Sequence, residues 1–425
     1  MRKSLSPSSS SSSSSCSSSD AAPAVTGAAT DDEKKRRVGY FYEANMGCHF
    51  YGRQHHMQPQ RLKMTHELIT SLDLGWDLLQ FEPRRAEESE LERFHSRDYV
   101  DFFRSVSTLP DWQKLLRPNK FNLAAGEGDG DCPIVDGMFD FQALCSGASI
   151  EAASLINNRG ADIAINWAGG LHHAKRRQAY GFCYLNDIVL CILELLTVHN
   201  RVMYIDIDIH HGDGVEEAFW HSNRVLTVSF HMYDGNFFPG TGHLDDRGEL
   251  DGKGYSVNVP LKEGVDDECF LSLSRPVIGK CVEQYRPDVI VLQCGADSLR
   301  GDMIGEWNMS IRGHGECVEF CRGFGIPLVI LGGGGYTVEN VSRCWAYETA
   351  VCLGVQACDL PSTIPLHDFS AFYAEGKHQL LFERGSRVPI NKNSVKSVND
   401  VRTAVLRAIG EMEAVPSVPI RSLHE

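Results

Sequence analysis

Short runs of apolar residues alternate with longer amphipathic segments from about residue 160 onward, and this alternation limits the possible folds more than any other feature. The runs are apolar at consecutive positions, which is typical of parallel strands buried on both faces. The rhythm predicts an α/β fold with a mainly parallel sheet covered by helices on both faces. The predicted strands are 38–42, 161–167, 202–207, 225–230, 288–293 and 327–331. The predicted covering helices are 185–197, 266–285, 310–323 and 338–352.

The two ends of the chain differ in composition from this core. Residues 1–32 are a serine tract followed by small residues, and they offer too little apolar surface to offset the entropy of ordering, so we expect disorder there. A single folded domain is predicted over 33–375, because 425 residues of which 42% are apolar can bury one large core. Residues 376–425 are expected to form an irregular tail with one helix at 398–413.

Charge and hydropathy argue against several classes of function. The formal net charge of −15 repels phosphate backbones, so we expect no direct contact with nucleic acid. The same charge favours a cationic partner, although acidity that serves only solubility explains it equally well. No apolar stretch approaches the roughly 20 residues that span a bilayer, so we expect a soluble protein without membrane contact.

The 14 cysteines and the basic run near the N-terminus bear on the cellular compartment. The cysteines show no paired C-x-x-C spacing, so we predict reduced thiols, with Cys191, Cys317, Cys321 and Cys352 packed as small apolar side chains. The run Lys-Lys-Arg-Arg at 34–37 has the composition of a nuclear import signal. An organelle transit peptide is the alternative, but arginine is sparse in the leader and acidic residues begin early.

Chemically reactive residues follow four of the predicted strands. In open parallel sheets, ligands bind outside the carboxyl ends of the strands. Because those ends lie at one edge of the sheet, we expect the four loops to converge on one site. They read Gly-Gly-Leu-His-His at 169–173, Asp-Ile-Asp-Ile-His-His-Gly-Asp at 206–213, Gln-Cys-Gly-Ala-Asp at 293–297 and Gly-Gly-Gly-Gly-Tyr at 332–336.

Three of these residues form a candidate metal site. Asp208 and His210 lie two positions apart at a strand end, so their side chains point to one face, and Asp297 from another strand end completes the set. Three protein ligands leave a position open for water and substrate, which is typical of catalytic zinc. An isolated D-x-H is more often a solvated aspartate with a packed histidine, but the neighbouring loops favour the metal site.

The remaining loop residues suit acid–base chemistry. The tandem His172 and His173 supply a base with a pKa near neutral. Asp206 and Asp213 are left over once the metal is satisfied, and each is predicted to hold one imidazole through its outer ring nitrogen. The alternative is that these carboxylates only cap loops. Tyr336 follows four glycines and is the candidate donor to an oxyanion, unless the glycines serve only tight packing.

At these residues the chain resembles class I histone deacetylases over about 38–355. The strings that carry the resemblance are Asn-Trp-Ala-Gly-Gly-Leu-His-His-Ala-Lys at 166–175, Gly-Phe-Cys-Tyr-Leu-Asn-Asp at 181–187, residues 204–217, Phe-Pro-Gly-Thr-Gly at 238–242 and residues 331–345. The resemblance implies an arginase/deacetylase-like fold and removal of acetyl groups from Nε-acetyl-lysine of histones or other proteins. It further implies transcriptional repression through chromatin deacetylation, corepressor partners and nuclear residence, with the cytoplasm as the alternative.

The resemblance also implies roles for individual residues. One zinc ion is expected on Asp208, His210 and Asp297, with His173 as principal general base and acid and His172 assisting electrostatically. Tyr336 is expected to polarise the acetyl carbonyl.

Further implied positions line the route of the substrate and a second cation site. Asp131 is expected to hold the substrate backbone at the entrance, and Arg61 to line an inner cavity. The implied tunnel residues are Gly181, Phe182 and Phe238, with Ile304 at the rim. A structural potassium ion is implied beside Asp206, Asp208, His210 and Ser229, mostly through main-chain oxygens.

The chain departs from the family pattern around the entrance. Gln58, Met303 and Glu339 stand where the family carries the cations that grip an inositol phosphate, so we predict weak or no binding of such a ligand. Tyr180 stands where a small residue is usual, and residues 124–130 look like an insertion. An altered substrate preference is therefore expected.

Other functions remain open on the sequence alone. A deacetylase of small acetylated amines or an arginase relative shares the architecture, but an arginase needs a second metal with more carboxylate ligands than this chain offers. A catalytically weak scaffold subunit of a repressor complex is favoured only by the altered rim and the tail. The intact metal and base positions favour an active enzyme.

Overall fold

An eight-stranded parallel sheet lies at the centre of the computed structural model, which describes residues 36–107, 121–125, 130–385 and 388–412. In chain order the strands are β1 (Val38–Phe41), β2 (Leu78–Phe81), β3 (Ala124–Ala125), β4 (Pro133–Ile134), β5 (Ile163–Asn166), β6 (Val202–Asp206), β7 (Val225–Met232), β8 (Ser256–Leu261), β9 (Val289–Gln293) and β10 (Leu328–Leu331). The order across the main sheet is β2-β1-β5-β10-β9-β6-β7-β8, and β3 pairs with β4 in a second small sheet.

Ten α-helices are described. They are α1 (Gln60–Ser71), α2 (Glu88–Leu91), α3 (Arg97–Val106), α4 (Met138–Asn157), α5 (Asp187–Leu195), α6 (Asp213–Phe219), α7 (Asp267–Tyr285), α8 (Ile311–Gly323), α9 (Val338–Leu353) and α10 (Val395–Gly410). Short 3-10 turns occur at Ala44–Gly47, Leu74–Asp77, Leu250–Gly252, Ala296–Ser298 and Ser370–Tyr373. None of the helices within the described ranges is long and apolar enough to cross a membrane.

The predicted α/β fold is confirmed. Every pair of neighbouring strands in the main sheet is parallel, and helices flank the sheet. Two of the predicted helices begin where a polar side chain caps them: Asn186 accepts the amide of Val189 at 3.0 Å, and Asp266 accepts the amide of Cys269 at 2.9 Å. The strands named from the sequence are buried throughout because neighbours cover both their edges and their faces.

Two strands of the main sheet were not predicted, and both lie at its edges. In β2, only Leu78 of four residues is buried. In β8, Pro260 interrupts the apolar pattern, which an edge strand tolerates because one side of it donates no hydrogen bond to a neighbour. An edge strand needs no continuous apolar run, so the criterion that identified the central strands does not detect it.

The helix predicted at 398–413 occupies Val395–Gly410 and packs on α7 and β8. Arg247 forms an ion pair with Glu411 at 3.1 Å.

The domain boundary at 375 stays a prediction. Residues 1–35, which include the predicted disordered segment, lie outside the described part of the chain, as do four residues of the suggested insertion at 124–130. Every cysteine that the structure describes is a free thiol, and the four expected to pack in the core are buried.

Candidate active site and metal centre

Asp208, His210 and Asp297 meet at the carboxyl ends of β6 and β9. The Nδ1 atom of His210 lies 3.0 Å from Oδ1 of Asp208 and 3.1 Å from Oδ2 of Asp297. All three side chains are buried, and their potential ligand atoms lie within 4.8 Å of one another. Register explains the meeting, because β6 and β9 pair along their whole length and Asp206 lies opposite Gln293 at the strand ends.

The electrostatics of this cluster suit a divalent cation. Burial and the charge of Asp208 raise the pKa of Asp297 to about 7. Burial alone lowers the pKa of His210, but the Asp297 and Asp208 carboxylates outweigh it and raise that pKa to about 10. Protons are therefore held between buried ligands, and a divalent cation would replace them. The oxygen, nitrogen and oxygen donor set fits zinc with an open position.

Each of the tandem histidines is paired with its own carboxylate. Nδ1 of His172 lies 2.8 Å from Oδ2 of Asp206, and Nδ1 of His173 lies 2.7 Å from Oδ1 of Asp213. A carboxylate at Nδ1 holds the proton there and leaves Nε2 with its lone pair. The second oxygen of Asp213 contacts Nζ of Lys175 at 2.6 Å, so Asp213 is held from both sides.

The two imidazoles differ in their electrostatic surroundings. Burial lowers the pKa of His172, but the carboxylates of Asp206 and Asp208 outweigh burial and raise that pKa to about 9. For His173, burial and the charge of His172 lower the pKa to about 3, against the opposing effect of Asp213. The centroids of the His172 and His173 rings lie only 3.9 Å apart. The two pKa values thus shift in opposite directions, and the Asp213 contact at Nδ1 of His173 leaves its Nε2 atom available to accept a proton.

Tyr336 lies across the cavity from the histidines on a loop that several polar groups hold. Its main-chain amide donates to Oδ2 of Asp302 at 2.7 Å. The Arg61 guanidinium donates to the carbonyl oxygens of Gly333 and Gly335, each at 2.7 Å, and lies over the Trp345 ring. Burial, with the charge of Asp297 and Asp208, raises the pKa of Tyr336. Its phenol therefore keeps its proton and can donate a hydrogen bond.

A narrow cavity of about 150 Å³ leads to these groups. Its lining comprises Asp131, His173, Gly181, Phe182, His210, Phe238, Ile304 and Tyr336. Phe238 packs edge-on against His173 with the ring centroids 4.9 Å apart. Phe182 packs edge-on against Tyr336 with the ring centroids 5.7 Å apart. The wall is aromatic and the polar groups lie at the two ends, so the cavity suits a slender apolar chain with a polar head.

A tight turn positions one wall of this cavity. Tyr180 and Cys183 exchange two main-chain hydrogen bonds of 2.9 Å, and the residues between them, Gly181 and Phe182, have φ values of 53° and 65°. Two central residues with positive φ are typical of a type I′ turn. A Cβ atom on Gly181 would lie 2.6 Å from the His173 ring, so glycine permits the backbone to approach the imidazole.

The other predicted positions lie near this centre or at its rim. Ser229 is the register partner of Asp206 in β7, and its hydroxyl lies 2.9 Å from Nδ1 of His231. Met303 is exposed, whereas Glu339 is buried and pairs with Arg384. The ring of Tyr180 packs on Phe238 at 4.9 Å.

Several positioning residues escaped the sequence analysis. The Gln293 amide donates to Oδ2 of Asp208 at 3.0 Å. His314 and Glu348 form a buried pair, and Nε2 of His314 lies 3.1 Å from the Gly295 carbonyl oxygen. Gln293 is the last residue of β9, the strand that leads to Asp297. The expectation that ligand-binding residues lie at the carboxyl ends of strands could therefore have identified it. No pattern in the sequence marks Asp302, because its importance lies in main-chain amides that fold onto it.

Comparisons with known proteins all identify histone deacetylases as similar to this chain. A model of the histone deacetylase domain matches residues 55–352. Histone deacetylase 19 of Arabidopsis thaliana is 48% identical over 385 residues, covering 91% of this chain and 74% of that protein. Histone deacetylase 1 of Oryza sativa subsp. japonica is 49% identical over 382 residues, covering 90% and 71%. Histone deacetylase 1 of Homo sapiens is 44% identical over 391 residues, covering 92% and 78%.

Proposed function

Because this chain belongs to the histone deacetylase family and is a lysine deacetylase, we infer how its own residues divide the work of hydrolysis. The observation that carries the proposal is the meeting of an Asp-His-Asp cluster, an imidazole paired with a carboxylate and a buried phenol around one narrow cavity.

We propose that Asp208, His210 and Asp297 hold the zinc ion. When bound there, zinc would supply the Lewis acidity that activates water and polarises the acetyl carbonyl. Gln293 and the amide of Gly334 donate to Oδ2 of Asp208 at 3.0 and 2.9 Å. These bonds fix the direction of the carboxylate, and such support typically affects metal affinity by about 10- to 100-fold.

His173 is proposed as the group that moves the proton. Its Nε2 atom accepts a proton from the attacking water, because Asp213 holds the other ring nitrogen in the protonated form. The same atom then donates that proton to the departing lysine amine. His172, held by Asp206 at Nδ1, is proposed to assist electrostatically by stabilising negative charge that develops nearby.

Tyr336 is proposed to donate its phenolic proton in a hydrogen bond to the acetyl oxygen as negative charge builds there. A donor held in place before the reaction stabilises the transition state more than the ground state. Phe182 and Phe238 enclose the aliphatic stem of the lysine, and Asp131 accepts from the substrate backbone at the entrance. An arginase activity is not supported, since the described residues hold no second metal cluster at this cavity.

A potassium ion is proposed beside Asp206, Asp208, His210 and Ser229. It is supported by the family resemblance and by the pairing of Asp206 with Ser229 on adjacent strands. We further propose nuclear residence, acetylated histone tails as substrates, corepressor partners and a role in transcriptional repression. Other acetylated proteins and small acetylated amines remain alternative substrates.

One experiment tests the core of this proposal. Zinc content and turnover of a histone acetyl-lysine peptide would be measured on the purified chain, with and without a hydroxamate chelator. We expect about one zinc per chain and chelator-sensitive release of acetate. A chain that holds zinc but turns over only acetylated small amines would favour the alternative substrate class. A chain that holds zinc and hydrolyses neither would support the scaffold function.

A further inference from the structure

A single carboxylate, Asp302, joins two walls of the substrate cavity. Oδ2 of Asp302 accepts the main-chain amides of Tyr336 at 2.7 Å and Thr337 at 3.2 Å. Oδ1 accepts the amides of Ile304 and Gly305, both at 3.0 Å. The loop that carries the phenol and the rim that carries Ile304 are therefore fixed to one group. Any shift of Asp302 moves Tyr336 directly.

The position of Asp302 depends in turn on residues from the C-terminal part of the chain. Its neighbour Gly301 packs so closely on residues 384 and 385 that a Cβ atom on Gly301 would lie 2.2 Å from the Arg384 carbonyl oxygen. Thr337 also donates its hydroxyl to the Gly301 carbonyl at 2.8 Å. The segment 383–385 thus lies directly behind the turn that supports Tyr336.

Polar contacts hold the segment 383–385 in this place. Asn340 accepts the amide of Arg384 at 2.7 Å and donates to its carbonyl oxygen at 2.8 Å. The Arg384 guanidinium donates to both Glu339 and Glu375. Oε1 of Glu383 accepts the amide of Ile311 at the start of α8, at 2.8 Å. Helices α8 and α9, together with Glu375, therefore hold Glu383 and Arg384.

The ion pair between Arg384 and Glu339 differs from an ordinary surface pair. Fully exposed pairs contribute little, because water and salt screen them. Glu339 is only 6% exposed and lies in the first turn of α9, three residues after Tyr336. Arg343 also interacts electrostatically with Glu339, but loss of Arg384 would remove the ion-pair partner of this buried carboxylate. The cost would act on the segment next to the phenol.

We propose that Arg384 is a positioning residue for Tyr336, acting through the segment 383–385, Gly301 and Asp302. The inference rests on the proposed function, in which Tyr336 donates to the acetyl oxygen. Arg384 contacts no substrate in this assignment. Its main effect on turnover comes through the placement of the phenol, so removing the arginine affects the transition state more than substrate binding.

Steady-state kinetics of the zinc-loaded full chain on an acetyl-lysine peptide test this. We expect Arg384→Gln to lower kcat by about 10-fold or more while KM changes by less than about 2-fold. Arg384→Lys, which keeps the cation, should recover part of the rate. Asn340→Ala, which breaks the main-chain contacts of the same segment, should reproduce the loss. Arg275→Gln is the matched control, since it breaks an exposed arginine–glutamate pair of 2.7 Å between α7 and α8.

The decisive measurement is a double-mutant cycle with Tyr336→Phe. If Arg384 acts through the phenol, Arg384→Gln costs little further rate in the Tyr336→Phe background. Full additivity, or a wild-type rate in Arg384→Gln, overturns the inference while leaving the proposed function intact. A loss of bound zinc or a large drop in melting temperature in Arg384→Gln also overturns it, because the residue would then be structural. Failure of the wild-type chain to hydrolyse the peptide overturns both.

Discussion

His173 and Asp213 are joined by a hydrogen bond of 2.7 Å between Nδ1 and Oδ1, deep beside the substrate cavity. This contact decides which nitrogen of the imidazole carries the proton. Because Lys175 holds the other oxygen of Asp213, the carboxylate cannot rotate away without breaking an ion pair. The orientation of the base is therefore determined by two neighbours at once.

Replacing Asp213 tests this control of the tautomer. In Asp213→Asn, the amide can donate to Nδ1 and shift the ring proton to Nε2, which removes the base. We expect kcat to fall by about 100-fold or more, with zinc content unchanged. Peptide turnover alongside metal analysis measures both. A rate close to wild type would show that Asp213 does not set the tautomer of His173.

The two histidines should differ in their effects. His173→Ala removes the proton carrier, whereas His172→Ala removes the group that assists electrostatically. We expect the larger loss of kcat in His173→Ala, with zinc retained in both variants. Equal losses would contradict the assignment of His173 as the principal base.

Tyr336→Phe removes one hydroxyl from a buried donor. We expect kcat to fall by about 100- to 1,000-fold with little change in KM, because the hydrogen bond strengthens only as the oxyanion forms. Zinc content serves as the control. Near-normal turnover in this variant would exclude Tyr336 as the donor to the acetyl oxygen.

Gly181→Ala tests the close approach of the tunnel wall to the base. The new Cβ atom would lie 2.6 Å from the His173 ring at a φ of 53°, so the ring or the turn must move. We expect at least about 10-fold loss of turnover with zinc retained. Gly279→Ala in α7 is the control, since its Cβ meets nothing closer than 3.9 Å. Equal rates in the two variants would show that the contact tolerates a methyl group.

Calorimetry tests the response to an inositol phosphate. Met303 is apolar and exposed, Gln58 is neutral, and Glu339 is already paired with Arg384, so a polyanion finds no cation at these three positions. We expect no binding of inositol hexakisphosphate at micromolar concentrations and no change in turnover. Micromolar or tighter binding would refute the prediction.

The sequence determined the class of fold and the identity of the reactive residues. Continuous apolar runs identify central strands because only a strand covered on both faces can be apolar at every position. The reactive residues follow those strands directly, and the carboxyl ends of parallel strands share one edge. The expectation that Asp208, His210 and Asp297 lie together therefore required no coordinates. The edge strands β2 and β8 were not predicted, because an edge strand needs no continuous apolar run.

Only the tertiary structure decided how these groups are oriented. The sequence names two histidines and two aspartates but not which pair meets, since that depends on side-chain directions across separate loops. Asp302 and Arg384 carry no recognisable pattern, because their partners are main-chain atoms and a carboxylate brought near by folding. Pattern analysis detects periodicity and local spacing, whereas contacts between distant segments exist only once the chain has packed.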